Sequence, residues 1–301
     1  MIRIIATILL VTSFALPTAF AQNDEGKKAL ANVVKLGGKI ERTPQLDGTD
    51  LIGIDLNELE ITDADLLSLR GLKHVKGTRN WFLLGVPITD EGVKVLAEIP
   101  DLNVVYLDRT KVTGAGLKDV KVYWRLSMRD TPVNNEGLKA LSGHKHLPQL
   151  DLAGTQITDA GLRALKDLKQ LRTLILLHTK ITDAGLAEVT ALTGLQNLSL
   201  DDTKITDAGM KELKKVTSLQ RLDLNGTAIT AAGLVELKDL PGLATLQLAR
   251  TKLSDADLEL FKSPNNFKAL RDLSVNGTQV TMQGLRALRK ARPGLSGWGL
   301  R

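Results

Sequence analysis

The sequence predicts an α/β solenoid, in which about ten short units stack and each contributes one strand and one helical return. The first observation is a repeated peptide: TKITDAG occurs at Thr179–Gly185 and again at Thr203–Gly209, and TQITDAG occurs at Thr155–Gly161. The second is composition, because aromatic residues are only 3% and cysteine is absent. A core of stacked aliphatic side chains suits this composition better than a compact aromatic centre.

The third observation is the period of that peptide. Its central aliphatic residue recurs ten times, at steps of 21 to 27 residues, of which most are 24. A fixed period of this length is typical of a repeat that forms one strand and one short helix. The ten positions are Ile61, Ile88, Val112, Val133, Ile157, Ile181, Ile205, Ile229, Leu253 and Val280.

The fifth repeat, Leu147–Gln170, shows the strand part of the unit. In the segment QLDLA, Leu150 and Leu152 alternate with polar or small neighbours. Alternation with a period of two predicts that both leucines point into the core while their neighbours face outward. A threonine follows the strand, Thr155 in this repeat, and a short polar side chain here is expected to hydrogen-bond turn backbone between neighbouring repeats.

The repeated peptide itself is interpreted as the corner between strand and helix. Thr158 is expected to cap the helix, and Asp159 to lie against its positive N-terminal end. Leucines at three-residue spacing then form one apolar stripe. A catalytic or metal-binding role for the Asp is disfavoured because other residues replace it in four repeats: Gly114, Asn135, Ala231 and Met282.

The period, the L-x-x-L-x-L strand pattern and the ITDAGL corner resemble the leucine-rich-repeat superfamily from Leu51 to the C-terminus. The resemblance implies a horseshoe with parallel strands on the concave face and short helices on the convex face. The corner is most similar to exported bacterial, planctomycete-type leucine-rich-repeat proteins. The repeats are also similar to those of F-box-type substrate receptors, although threonine stands here where those repeats usually have cysteine. A substrate-receptor role is therefore the weakest implication.

The first 21 residues are interpreted as a signal peptide. Arg3 precedes an apolar run from Ile4 to Leu16, and Ala19-Phe20-Ala21 supplies small residues for cleavage near Ala21. A retained membrane anchor is the alternative, although the run is short for a span. We expect export to the periplasm or beyond the cell, and no membrane span in the mature chain.

The remaining chain is divided into a cap at 22–50, ten repeats at 51–290 and a second cap at 291–301. Terminal repeats need such caps because their outer faces have no neighbour. A helix is expected over Asp24–Leu36, ended by Gly37, followed by strands at 39–42 and 51–56. Trp298 is expected to cover the last leucines.

Charge and motifs exclude several functions. The formal net charge is +6, with acidic and basic residues interspersed, which argues against a nucleic-acid reader. The four histidines have no Ser or Cys partner in a nucleophile motif, and no glycine-rich phosphate loop is present. We expect no catalysis, no cofactor and no resident metal, and a monomeric chain.

The outward side chains of the strands are the expected binding surface. Phe82 and Tyr106 occupy one column on neighbouring strands, and exposed aromatics flanked by arginine are typical of interface hot spots. Trp81 and Trp124 are instead interpreted as packing near an irregular, shortened step, and the same packing role is the alternative for the first two rings. The predicted partner-binding residues are Phe82, Tyr106, Leu84, Val104, Arg125 and Arg129.

A protein partner is favoured, with a carbohydrate ligand or a purely structural envelope role as alternatives. Ile175 and Leu177 are read as scattered surface hydrophobic residues. Asp201, Asp202 and Asp223 are read as a solvated acidic patch, since Ca²⁺ requires six or more oxygen ligands. This patch is where a catalytic pair would be sought.

Overall fold

The computed structural model describes residues 21–45 and 50–297. The predicted signal peptide up to Phe20, part of the turn between the first two strands, and Trp298 lie outside the described residues. The chain forms two compact units, one that ends at Ser127 and one that begins at Met128. The proposed division into leader, caps and repeats remains a prediction.

The first unit contains one sheet in which the strands follow chain order. The first two strands are antiparallel, and each later strand adds in parallel to the one before it. The strands are β1 Lys39–Pro44, β2 Asp50–Asp55, β3 Thr78–Phe82, β4 Leu102–Tyr106 and β5 Val122–Ser127. The helices are α1 Asp24–Lys35, α2 Asp63–Leu67 and α3 Asp90–Val93, with 3₁₀ turns at Arg70–His74, Lys94–Glu98 and Ala115–Leu117.

Helix α1 starts and ends through local backbone chemistry. The Asn23 side chain accepts a hydrogen bond from the Gly26 N–H at 2.9 Å, which satisfies one of the free donors at the helix start. At the other end Gly37 has φ +90°, and the N–H groups of Gly37 and Gly38 donate to the carbonyls of Val34 and Val33. This is a Schellman closure, for which glycine is the suitable residue. The predicted helix stop therefore lies where the structure ends the helix.

The second unit repeats one strand and one short helix. Its strands also follow chain order and are all parallel. They are β6 Gln149–Asp151, β7 Thr173–Ile175, β8 Asn197–Ser199, β9 Arg221–Asp223, β10 Thr245–Gln247 and β11 Asp272–Ser274. The helices are α4 Asn135–Lys139, α5 Asp159–Leu162, α6 Asp183–Val189, α7 Asp207–Leu213, α8 Ala231–Leu237, α9 Glu259–Lys262 and α10 Met282–Ala291, with 3₁₀ turns at Ala140–Gly143, Arg163–Leu165 and Ala256–Leu258.

The core lies beneath these strands, as the alternating pattern predicts. The central leucines of β6 to β11 stand directly beside one another in register and are at most 1% exposed. Burying one leucine side chain contributes about 1.5–3 kcal/mol, so each added repeat is stabilised mainly by its own aliphatic row. The predicted solenoid of parallel strands with short helical returns is confirmed. The row is Leu150, Leu174, Leu198, Leu222, Leu246 and Leu273.

The threonine after each strand closes a turn within its own repeat. The Thr155 hydroxyl donates to the carbonyl of Leu152 at 2.7 Å, and the same bond recurs in every repeat from the third to the tenth. The expectation that this threonine bonds between neighbouring repeats is therefore wrong. The other threonines are Thr110, Thr131, Thr179, Thr203, Thr227, Thr251 and Thr278.

The aspartate of the corner makes the bond between repeats. One oxygen of Asp159 accepts from the Thr182 backbone N–H at 2.8 Å, and the other accepts from the Thr182 hydroxyl at 2.6 Å. Thr182 in turn caps its own helix, since its hydroxyl accepts from the Ala184 N–H. Thr158 lies at the N-cap position as predicted, but its hydroxyl accepts from Nδ2 of Asn135 and makes no cap hydrogen bond of its own. The aspartate satisfies the next repeat rather than its own helix. A carboxylate accepts the same two bonds from the next repeat in the pairs Asp63–Thr89, Asp90–Thr113, Asp183–Thr206, Asp207–Thr230 and Asp255–Thr281. Asn135 differs, since its Oδ1 accepts from the Thr158 N–H and its Nδ2 donates to the Thr158 hydroxyl.

The glycine of the corner makes room for that aspartate. A Cβ at Gly185 would lie 2.4 Å from Oδ1 of Asp159, well inside van der Waals contact. Where no carboxylate arrives from the preceding repeat, two repeats carry aspartate at the glycine position. Asp65, in the first repeat, and Asp257, which follows the repeat with Ala231, each bond the N–H and hydroxyl of their own N-cap residue. A missing corner aspartate does not always bring an aspartate to the glycine position of the next repeat: Gly114 replaces the aspartate of the third repeat, yet the fourth repeat keeps Gly137.

We predict that Gly185→Ala destabilises the protein, because the new methyl group collides with the Asp159 carboxylate. In an Asp159→Ala background the loss should be much smaller, because the nearest remaining atom is Cδ1 of Leu162, 3.1 Å from the new methyl group, and alanine exceeds glycine in helix propensity by about 1 kcal/mol. Urea denaturation of the four proteins, followed by circular dichroism, measures this cycle. Equal effects of Gly185→Ala in both backgrounds would contradict the steric interpretation.

Candidate partner-binding surface

The outward side chains of the strands form what we call the strand face. In the first unit its two central columns are in register as the repeat spacing predicts. Each side chain therefore lies about 4.8 Å from its counterpart on the next strand. The two columns are Gly53, Asn80, Val104 and Arg125, and Asp55, Phe82, Tyr106 and Ser127.

Phe82 and Tyr106 stack on this face. Their ring centroids are 5.6 Å apart and their planes differ by 19°. The guanidinium carbon of Arg125 lies 5.2 Å from the centroid of the Tyr106 ring, a cation–π contact. On the other side, a Cβ at Gly53 would lie 3.3 Å from Cε2 of Phe82, so this glycine leaves space for the ring. The result is an ordered row of two half-buried rings that ends in a cation.

Leu84 and Val104 lie beside this row, and both are half-buried. The backbone N–H of Leu84 donates to Oδ1 of Asn57 at 2.8 Å, which fixes the end of β3 against the preceding repeat. Together with Phe82, Tyr106 and Arg125 they place five of the six predicted residues on one face of the first unit.

The sixth predicted residue, Arg129, belongs to the second unit. Its Nη1 lies 3.3 Å from Oδ2 of Asp151, whose side chain is only 2% exposed. Oδ1 of the same carboxylate accepts from the Ala153 N–H at 3.1 Å. A guanidinium beside a buried carboxylate has a structural role of its own, because it offsets part of the cost of burying that charge. Arg129 therefore has weaker support as a contact residue than the other five.

Tyr123 was not singled out in the sequence, and Trp124 was assigned to packing. Strand β5 contains a bulge: Leu102 pairs with Val122 and Val104 with Arg125, so these two aromatics oppose the single residue Asn103. Bulges re-aim side chains. Trp124 is 53% exposed and Tyr123 is 42% exposed, so the packing role expected for Trp124 is wrong.

Trp81 follows the packing expectation and is completely buried. It occupies an inward position of β3 between Asn80 and Phe82, where the strand alternation is regular. The sequence did contain one indication that Trp124 is exposed, the 21-residue step beside β5. A shortened repeat disturbs the inward–outward alternation from which burial is inferred.

Ionic contacts in the first unit lie around the aromatic row. The Ser127 hydroxyl donates to Oδ1 of Asp108 at 2.5 Å, and Arg109 pairs with Glu58 two repeats away. Glu58, Gly85 and Arg109 all have positive φ at equivalent positions, and the absence of a side chain at Gly85 lets the charged pair pass over it. These contacts fix the polar surroundings of the rings.

The carboxylates predicted to form a solvated acidic patch in the second unit are engaged by neighbours. Oδ1 of Asp201 accepts from the Asn225 N–H at 2.7 Å, and Asp202 pairs with Arg250 at 2.8 Å. Asp223 pairs with Arg221 at 3.0 Å. Burial raises the pKa of the Asp223 carboxyl. Arg221 opposes this by lowering the pKa, and the charge of Asp201 raises it further.

Within residues 21–45 and 50–297, no group of three or more His, Asp or Glu side chains is arranged to hold a metal ion. Ile175 and Leu177 are half-buried on the strand face of the second unit, consistent with isolated surface hydrophobic residues.

A family model described as Leucine Rich repeat matches residues 143–166 and 217–238, both in the second unit. The match identifies these two segments as leucine-rich repeats, and each contains the corner and helix described above. A search of curated proteins finds no match. The closer likeness to planctomycete-type or F-box-type repeats remains a prediction.

The solved structures similar to this chain include two internalins from Listeria monocytogenes. Internalin C2 is 19% identical, with 90% of this chain and 92% of that chain covered and a TM-score of 0.45. Internalin F is 16% identical, with 97% and 99% covered and a TM-score of 0.48.

The leucine-rich-repeat fold is typical of protein-interaction modules, which use extended surfaces of stacked repeats.

Among the described residues, no helix is both long and apolar enough to cross a membrane.

The different positions of the two tryptophans can be tested by stability measurements. We expect Trp81→Ala to lower the free energy of unfolding by about 3–5 kcal/mol, the usual cost of removing a buried aromatic side chain. Trp124→Ala should change it by less than about 0.5 kcal/mol, because an exposed ring contributes little packing. Urea denaturation of both variants is the measurement, and losses of similar size would show that Trp124 is a packing residue after all.

Proposed function

We propose that the protein is an exported leucine-rich-repeat protein that binds a protein partner through its strand face and catalyses no reaction. The centre of the surface is Phe82 and Tyr106, and its rim is Leu84, Val104 and Arg125. Arg129, which belongs to the second unit, is retained as the sixth proposed contact residue. The observation that carries the proposal is the ordered stack of Phe82, Tyr106 and Arg125 on an outward face. Half-buried aromatics beside arginine are enriched in binding hot spots.

The stack favours a protein partner over a carbohydrate. A sugar packs against the face of an aromatic ring, but the facing sides of Phe82 and Tyr106 cover each other and Arg125 covers the far side of Tyr106. The ring edges and the flanking Leu84 and Val104 remain for contact. Side chains of a protein pack well on such a mixed, uneven surface.

The order of the rings also favours recognition over a purely structural role. Rings that are already stacked lose little conformational entropy when a partner binds. The neighbouring bulge adds two exposed aromatics, Tyr123 and Trp124, that the core does not use. A clustering of exposed aromatics on a repeat protein is more typical of an interaction surface than of a spacer.

A non-catalytic role is supported by the state of the carboxylates in the second unit. Asp201, Asp202 and Asp223 each have a hydrogen-bonding or ionic partner that stabilises their position. Export rests on the apolar leader and its small residues before the proposed cleavage near Ala21, with release of a monomer to the periplasm or the medium. A substrate-receptor role by analogy with F-box proteins has the least support.

The test is affinity capture from the native exported fraction with residues 22–301 as bait. We predict that Phe82→Ala/Tyr106→Ala weakens retention of the partner by roughly 30-fold or more, as removal of a hot spot of about 2 kcal/mol would. The matched control is Ile175→Ala/Leu177→Ala, which removes two apolar side chains from the strand face of the second unit. Circular dichroism checks that all baits are folded.

The same three baits, together with Trp124→Ala, separate the alternatives. A partner lost with the first variant and kept with the control supports the proposed surface. Equal retention by all three baits would assign Phe82 and Tyr106 to packing. Retention on polysaccharide resins that depends on Trp124 and not on Phe82 would instead favour the carbohydrate role.

A further inference from the structure

The positive charge of the chain is concentrated at its C-terminal end. Residues 22–262 contain 32 Lys and Arg against 33 Asp and Glu, whereas residues 263–301 contain seven Lys and Arg and a single acid, Asp272. The excess of cations therefore belongs to the last repeat and the cap. A charge asymmetry of this kind points to an anionic partner.

Helix α10 presents this charge to solvent. Leu285 and Leu288 are buried against the core, while Arg286, Arg289 and Lys290 are exposed. The spacing of three and four residues places the three cations on one side of the helix. Within the described chain none of the three side chains makes an ion pair or a hydrogen bond, in contrast to Arg250 or Lys214.

Arg292 explains why the helix holds this position. Its guanidinium donates to the backbone carbonyls of Phe261, Ser263, Asn266 and Phe267, at 3.1 to 3.3 Å. This cation is a structural clamp, and it is therefore set apart from the three that face outward. Helix α10 is held by Arg292 and by its buried leucines, so its outward side chains are not needed to pack the helix.

The outward stripe also contains an apolar side chain. Met282 lies one helical turn before Arg286 and is 54% exposed. Cations beside an exposed apolar side chain suit the boundary of a lipid bilayer, where the charges meet headgroups and the thioether enters the region beneath them. A soluble polyanion would use the cations and gain nothing from the methionine.

We propose that the outward stripe of α10, formed by Met282, Arg286, Arg289 and Lys290, binds the surface of an anionic phospholipid bilayer. The contact is peripheral and reversible, because the buried leucines stay in the protein core and only side-chain tips reach the membrane. Since the helices and the strands lie on opposite sides of a repeat, the strand face of this unit remains open. The proposal is independent of the partner surface at Phe82 and Tyr106.

The test is co-sedimentation with vesicles of equal parts phosphatidylglycerol and phosphatidylcholine, at low ionic strength. The protein is used as recovered from cells, with the same N-terminus in every variant confirmed by intact mass, so any effect of the leader is common to all. We expect Arg286→Gln/Arg289→Gln/Lys290→Gln to weaken vesicle binding roughly 100-fold, because each cation near an anionic surface contributes about a factor of five. Binding should also fall as salt is added.

The matched control is Lys166→Gln/Lys180→Gln/Lys204→Gln, which removes the same charge from exposed positions on three other repeats. This control should lower vesicle binding only slightly. Vesicles of phosphatidylcholine alone should not sediment the unmodified protein or its variants. Thermal melting by circular dichroism verifies that both triple variants fold.

Met282→Gln separates a membrane from a soluble polyanion. A membrane contact predicts weaker vesicle binding by this variant and unchanged binding to polyphosphate. The proposal would be overturned if the unmodified protein did not bind anionic vesicles, or if the two triple variants lost vesicle binding equally. It would also be overturned if Met282→Gln bound vesicles as well as the unmodified protein does and the unmodified protein bound polyphosphate as tightly as it binds vesicles.

Discussion

The structure depends on how each corner satisfies the first polar groups of its helix. At most corners a threonine presents a backbone N–H and a hydroxyl, and the aspartate of the preceding repeat accepts hydrogen bonds from both. Asn135 instead accepts from the N–H of Thr158 and donates to its hydroxyl. Because the donor and acceptor lie on different repeats, the bond fixes the distance and rotation between them. Glycine is then required where the carboxylate passes, as at Gly185. The peptide ITDAG is thus the connection between neighbouring repeats.

Regular stacking defines the surface on which function is proposed. Phe82 and Tyr106 stack because equivalent positions of adjacent strands are held in register, and Arg125 reaches Tyr106 for the same reason. The departure from regularity is equally informative. Tyr123 and Trp124 lie in the bulge of β5 and are exposed, so neither belongs to the core.

The repeat number, the strand register and the inward leucines followed from the sequence, since each is fixed by a period that the residues repeat. The partner of Asp159 could not be predicted from the sequence. An aspartate in the first turn of a helix can bond either the start of its own helix or a neighbouring repeat, and only the stacking of the repeats decides between them. Trp124 was misjudged because alternation loses its meaning across a bulge. Arg129 was grouped with the aromatic row on spacing alone, whereas its carboxylate partner, Asp151, becomes visible only in three dimensions.

The central claim is that the corner aspartate and the corner glycine act as a pair across the repeat boundary. Ala231 and Asp257 provide the direct test, because this boundary lacks the pair and Ser254 is satisfied by its own repeat. The measurement is the free energy of unfolding of Ala231→Asp, Asp257→Gly and the double variant. The account predicts a favourable coupling of about 1.5–3 kcal/mol in the double variant, the range for a hydrogen bond to a charged group. Additive effects of the two substitutions would contradict it.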